Sequence, residues 1–247
     1  MLYFAWFFAS VIFAVSFSLQ AKEVLFLTLE YPPYASEQME HQGAAVELLQ
    51  LMLDGSDFQP KVQFVPWSRV LRELKLGRAD GVLLLWPEEL KRHNALASSA
   101  LFLSRVGFYI RRPELGQRDV QLSALRNQRI CTVRSYGYPP ELAKAGVIFD
   151  EAQDDLANLR RMQLGRCDYV ALERAVGEFL LAHDRTGLAD AVAWAEPAFA
   201  ELPLKFAVTA EKADSAALME AIEQGLQRLK LDGRYQQLLQ RYGLDAP

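Results

Sequence analysis

The chain is poor in residues that hold metals or build disulfide frameworks: its 247 residues include two cysteines and three histidines. Cys131 and Cys167 stand in no Cys-x-x-Cys pair, and His41, His93 and His183 have no ligand spacing with them or with one another. A structural zinc site of the usual kind is therefore excluded. There is no Gly-x-Ser-x-Gly elbow, glycine-rich phosphate loop or His-Glu-x-x-His, so the local signatures of α/β-hydrolases, P-loop NTPases and zincins are missing. Lys/Arg and Asp/Glu are mixed along the chain at a net charge of −4, with no basic run, which leaves no electrostatic footprint for nucleic acid or an anionic membrane. No repeat or low-complexity tract is present, and there is one long apolar run.

That run, Leu2 to Leu19, is broken by Ser10, Ser16 and Ser18, and charge first appears at Lys22-Glu23. It reads as a secretory signal peptide over residues 1–21, cleaved after Ala21, which places the mature protein in the periplasm. The alternative is an uncleaved membrane anchor, because the run is about as long as a spanning helix. No Cys follows it to carry a lipid. An oxidising compartment would permit a Cys131–Cys167 disulfide; two small buried apolar residues are the other reading.

Beyond Ala21, strand and helix signals alternate. Strands are expected at 23–29, 61–65, 82–85, 106–111, 129–133, 147–149, 169–172 and 204–208. Helices are expected at 43–53, 66–76, 140–145, 155–164, 216–229 and 233–242. Val82-Leu83-Leu84-Leu85 is apolar throughout, as in a parallel strand covered on both faces. Two α/β sets of about a hundred residues each imply two lobes. Ligands of such sheets gather at strand carboxyl ends, which here follow Leu29, Leu85 and Val133.

Several local patterns share an order. Tyr31-Pro32-Pro33-Tyr34 follows the first strand, and Trp67 opens the helix that leads to Leu76-Gly77-Arg78-Ala79-Asp80. Arg92, Ser99 and Phe102 come next. Gly165-Arg166-Cys167-Asp168 precedes another strand, with Glu173 beyond it, and the chain closes on Asp232-Gly233-Arg234-Tyr235 and Tyr242-Gly243. In this order and spacing the chain resembles the bacterial extracellular solute-binding proteins of family 3, best known for binding polar amino acids. The resemblance implies a periplasmic-binding-protein-like type II fold, two α/β lobes joined by a two-segment hinge. Residues 22–106 and 205–247 would form lobe 1 and 107–204 lobe 2, with the hinge near Val106–Arg111 and Ala200–Leu204.

The candidate ligand-binding set is Tyr31, Trp67, Trp86, Arg92, Arg134, Tyr138 and Glu173. By the resemblance, Arg92 matches an arginine that grips a ligand carboxylate, a task suited to a planar fork of donors; in Lys91-Arg92-His93 it also reads as a solvated surface charge. Glu173 matches a carboxylate that meets a ligand ammonium, and equally suits the start of a helix. Arg134, Ser135 and Tyr138 follow a strand where a turn can face an anion, or merely lie on the surface. Tyr31, Tyr34, Trp67 and Trp86 could sandwich a flat or cationic group, or serve as packing. Glu89 stands near a family threonine, beside Arg92, which sets this chain apart from a standard α-amino-acid binder.

The reading is a non-enzymatic solute-binding monomer without cofactor or metal. It would close on a small anionic or zwitterionic ligand for an ABC permease or a sensor. The alternative is a dehydratase-like enzyme that uses Glu89 and Glu173 as acid and base.

Overall fold

The structure, a computed structural model, describes residues 21–116 and 120–247. The expected leader lies outside them except for Ala21. In chain order, lobe 1 contributes β1 (Lys22–Thr28), α1 (Ala44–Leu53), β2 (Phe58–Phe64), α2 (Trp67–Lys75), β3 (Gly81–Leu85), α3 (Pro87–Leu90) and β4 (Ala95–Ala97). The chain then crosses on β5 (Phe102–Arg111) into lobe 2. There it forms β6 (Arg129–Val133), α4 (Pro140–Lys144), β7 (Ile148–Ala152), α5 (Asp155–Gln163), β8 (Tyr169–Glu173), α6 (Arg174–His183) and α7 (Leu188–Ala191). It returns on β9 (Val192–Thr209) and ends in lobe 1 with α8 (Ser215–Leu231) and α9 (Arg234–Tyr242).

Strand order is β2-β1-β3-β9-β5-β8-β6-β7, with β4 also on β9. Each lobe thus has three parallel strands, β2-β1-β3 and β8-β6-β7, bounded by one antiparallel crossing strand. Burial follows position. The inner strands β3 and β8 are buried along their whole length, whereas β2, at the edge, alternates half-buried and exposed residues. On β9, Val192–Leu204 pairs with β5, and from Lys205 onward the strand pairs with β3. On β5, Val106 is the point where pairing with β8 begins. The two crossing strands are therefore hydrogen-bonded to each other along the passage between the lobes.

Cys131, on β6, and Cys167, just before β8, form a disulfide with Cα atoms 5.8 Å apart inside lobe 2. In lobe 1, α8 lies on α1 so closely that a Cβ at Gly225 would stand 2.0 Å from the Met52 carbonyl oxygen, which restricts that position to glycine. Arg228 on α8 donates to the carbonyls of Met52 and Asp54 at the end of α1, satisfying acceptors that the helix leaves open.

Candidate functional site

The carboxyl ends of β1, β3, β6 and β8 converge between the lobes. After β1 the chain turns through Tyr31-Pro32-Pro33-Tyr34, where the Tyr31 and Tyr34 rings stack at 5.7 Å. At the end of β3, Leu84 takes a left-handed φ of 68°, and the ladder to β9 shifts register there. Ser135, after β6, is left-handed too, at φ 70°. Such conformations cost of order 1 kcal/mol or more away from glycine and cluster at binding sites. Beyond Leu84 the chain turns at Trp86 into α3. Glu89, at the third helical position, reaches back to accept from the Trp86 backbone N–H at 2.8 Å, one half of a capping box.

Glu89 is the polar centre of the site. It is buried, and its Oε1 accepts from Trp67 Nε1 and from the Gly137 backbone N–H of lobe 2, each at 2.8 Å. A Cβ at Gly137 would lie 2.5 Å from Glu89 Cγ, so the two lobes meet here at a distance that glycine alone allows. Next to Gly137, the Tyr136 ring enters lobe 1. It stands perpendicular to Tyr31, Trp67 and Trp86, at interplanar angles of 83°, 88° and 83° and centroid distances of 6.1, 6.2 and 5.6 Å. Tyr138 packs on Trp86 at 5.7 Å. Together Tyr31, Trp67, Trp86 and Glu89, with Leu29 and Leu84, form a box closed by Tyr136. The space left inside is about 10 Å³, room for one water at most.

Two more buried carboxylates lie along the same seam. Asp155, the first residue of α5, accepts from Tyr136 Oη at 2.9 Å through one oxygen, while its Oδ1 has no partner. Glu173 caps α6 by accepting from the Val176 N–H at 2.8 Å and also meets the Tyr34 hydroxyl of lobe 1 at 3.4 Å. The Tyr31 hydroxyl is buried without a partner. Burial in low dielectric disfavours charge and pushes Glu89, Asp155 and Glu173 each up to about 7, against the pull of the hydrogen bonds they accept.

The structure brings Tyr31, Trp67, Trp86, Tyr138 and Glu173 to the seam between the lobes. Glu173 is the helix cap that its place before Arg174 suggested, and it also faces Tyr34 of lobe 1. Arg92, just past α3, is exposed and outside the box, and no ion pair joins it to Glu173. Arg134 is exposed and turns to Glu151 on β7, 3.7 Å away. Tyr136, Gly137 and Asp155 were not among the sequence candidates. An aromatic-Gly-aromatic turn after a strand was the available signal for the first two. Asp155 looked like an ordinary acid in the first turn of a helix.

Residues 25–245 match the model of the bacterial extracellular solute-binding proteins, family 3. Among solved structures the fold is similar to a histidine kinase sensor domain with similarity to periplasmic binding proteins. That match has a TM-score of 0.79 and 20% identity, and covers 93% of this chain and 99% of that one. It is also similar to the substrate-binding protein of an amino acid ABC transporter, at TM-score 0.74 and 16% identity over 89% of this chain and 98% of that one. A third is an ancestral amino acid-binding protein, a precursor of cyclohexadienyl dehydratase, at TM-score 0.72 and 15% identity over 90% and 95%. No curated protein matches the chain in sequence.

Proposed function

The chain belongs to the bacterial extracellular solute-binding proteins, family 3, and from that membership we propose that it is a periplasmic receptor for a small solute. It takes the solute between its lobes and presents the closed form to a membrane partner, a transporter or a sensor kinase. The apolar leader and the extracellular family support the location. The observation that carries the reading is the seam itself. Gly137 N–H on Glu89, and Tyr136 inside the box of Tyr31, Trp67 and Trp86, are contacts that exist only while the lobes are closed. A solute that adds contacts in the closed form shifts the population toward it, and that shift is the whole of the protein's output.

The sensor-domain and transporter-receptor likenesses support both kinds of partner without separating them. A second reading, turnover by cleft carboxyls, is favoured by one observation. Glu89, Asp155 and Glu173 are held at about 7, where a group both gives and takes a proton at neutral pH. The test is a thermal-shift screen of the mature chain against amino acids, amines and small carboxylates, followed by a search for product. One solute class should raise the melting temperature by mass action and be recovered unchanged. Conversion of a cyclic dienol acid would establish the enzyme reading instead, and no shift with any class would defeat the receptor reading.

A further inference from the structure

Among the described residues, the buried charged side chains are Glu47, Glu89, Asp155 and Glu173, with no buried Lys or Arg. Glu47 is answered by Arg241 at 3.0 Å in lobe 1, away from the seam. The other three line the inter-lobe seam and make no ion pair. Arg92, the cation whose charge acts on Glu89, is itself exposed. A desolvated carboxylate without a counter-charge is expensive, so such groups either bind a proton or are completed by a cation. Two further groups ask for a partner at the same place: Asp155 Oδ1 and the Tyr31 hydroxyl are both buried and unpaired. Tyr31, Trp67 and Trp86 line the space beside Glu89, Trp67 with its indole N–H on the carboxylate, and aromatic rings without a cationic side chain among them suit a cation better than an anion.

We propose that the box binds the ammonium group of a small organic cation that needs no carboxylate of its own. Glu89 is its counter-charge, and Tyr136 is the protein's stand-in for it. Resting on the receptor reading above, this narrows the solute from the anionic or zwitterionic class expected from Arg92 to an amine. The three box rings surround an ammonium as they now surround Tyr136, and Asp155 Oδ1 accepts from its N–H where the ammonium carries one, as 1,4-diaminobutane does and choline does not. Tyr136 fills the volume that the solute needs, so the solute competes with it. Burial that pushes the seam carboxyls up to about 7 is relieved when a cation enters, so binding releases protons at neutral pH.

Titration calorimetry on the mature chain at pH 8 tests this with 1,4-diaminobutane and choline as cation probes. The neutral isostere of choline, 3,3-dimethylbutan-1-ol, and the amino acids glutamate and glutamine serve as comparisons. At least one cation probe should bind ten-fold or more tightly than the neutral isostere and the amino acids. Glu89→Gln should weaken that probe ten-fold or more, and Tyr136→Ala should tighten it three-fold or more by removing the competitor. Because Glu89→Gln could disturb the turn at Trp86, the comparison of both cation probes with the neutral isostere on the unaltered protein stands independently. Binding of neither cation probe more tightly than the neutral isostere, or weaker cation binding by Tyr136→Ala, overturns the proposal. Binding of glutamate or glutamine without either cation overturns it while leaving the receptor reading intact; binding of nothing overturns both.

Discussion

At Gly137 the lobes approach as closely as backbone and side chain permit, and an added methyl would press on Glu89 Cγ at 2.5 Å. Gly137→Ala should therefore hold the lobes apart and weaken solute affinity ten-fold or more, and should lower the melting temperature as well, because Tyr31, Trp67 and Trp86 at the seam belong to the buried core. Scattering curves with and without solute, beside a melting scan, would check both halves of that statement. The seam carboxyls make a second residue-level prediction. Asp155 and Glu89 are raised from 3.8 and 4.5 to about 7, so between those values the folded chain binds more protons than the unfolded one. Stability then falls as pH rises from about 4 to about 7, opposite to the usual salt-bridged carboxylate. For Asp155 alone the loss is on the order of 4 kcal/mol. Asp155→Asn, which keeps an acceptor for the Tyr136 hydroxyl, should flatten the decline in denaturant midpoints between pH 5 and pH 8; an unchanged slope would mean that Asp155 titrates normally. The aromatic walls Tyr31, Trp67 and Trp86 were legible as strand-end residues. Tyr136 was marked only by the Tyr136-Gly137-Tyr138 turn and Asp155 not at all, because their roles arise where a turn of one lobe meets the other across long sequence separations.

At the scale of elements, the alternation of short apolar runs with helical stripes predicted most strands and the longer helices except α6, with ends differing by a few residues. β3 and α1 were plain as unbroken apolar runs, told apart by length and not by period, since β3 is buried along its whole length and α1 on nearly every face. The exceptions are α3, β4, α6 and α7, which the expected elements leave out, and β9, expected over Leu204–Val208 and found over Val192–Thr209. Pro197 and Pro203 interrupt its pattern and would argue against a strand, yet the ladder to β5 carries the backbone through with a shifted register. Pairing with a neighbour, not local propensity, makes that segment a strand. The disulfide belongs to this scale as well, tying β6 to the start of β8 across a separation of 36 residues. Closing a loop of that length is worth about 4 kcal/mol in the chain-entropy view. Cys131→Ser with Cys167→Ser should lower the denaturant midpoint of lobe 2 accordingly. Because the bridge closes a loop wholly within lobe 2, lobe 1 should lose less, although one buried cluster runs through the seam to Cys131 and Cys167; equal losses in both lobes, followed by lobe-specific fluorescence, would show that the lobes unfold as one.

For the whole molecule, what the sequence pattern could not hold was the relation of one lobe to the other. Periodicity places a residue on a face of its own element and says nothing of the element that arrives from across a cleft. The family resemblance supplied the two-lobe plan, while the filled box, the Gly137–Glu89 hydrogen bond and the stranded Arg92 emerged from the assembled fold. Closure about β5 and β9 is the central claim, and the separation of the lobes in solution tests it most directly. Both native cysteines are bonded to each other, so dyes can be placed through Leu164→Cys on lobe 2 and Leu231→Cys on lobe 1, where the native side chains are 68% and 89% exposed. Single-molecule energy transfer on the mature chain, titrated with choline, 1,4-diaminobutane, amino acids and small carboxylates, should show two lobe separations. The shorter should gain population with one solute class. A single separation that responds to none of them would contradict the account.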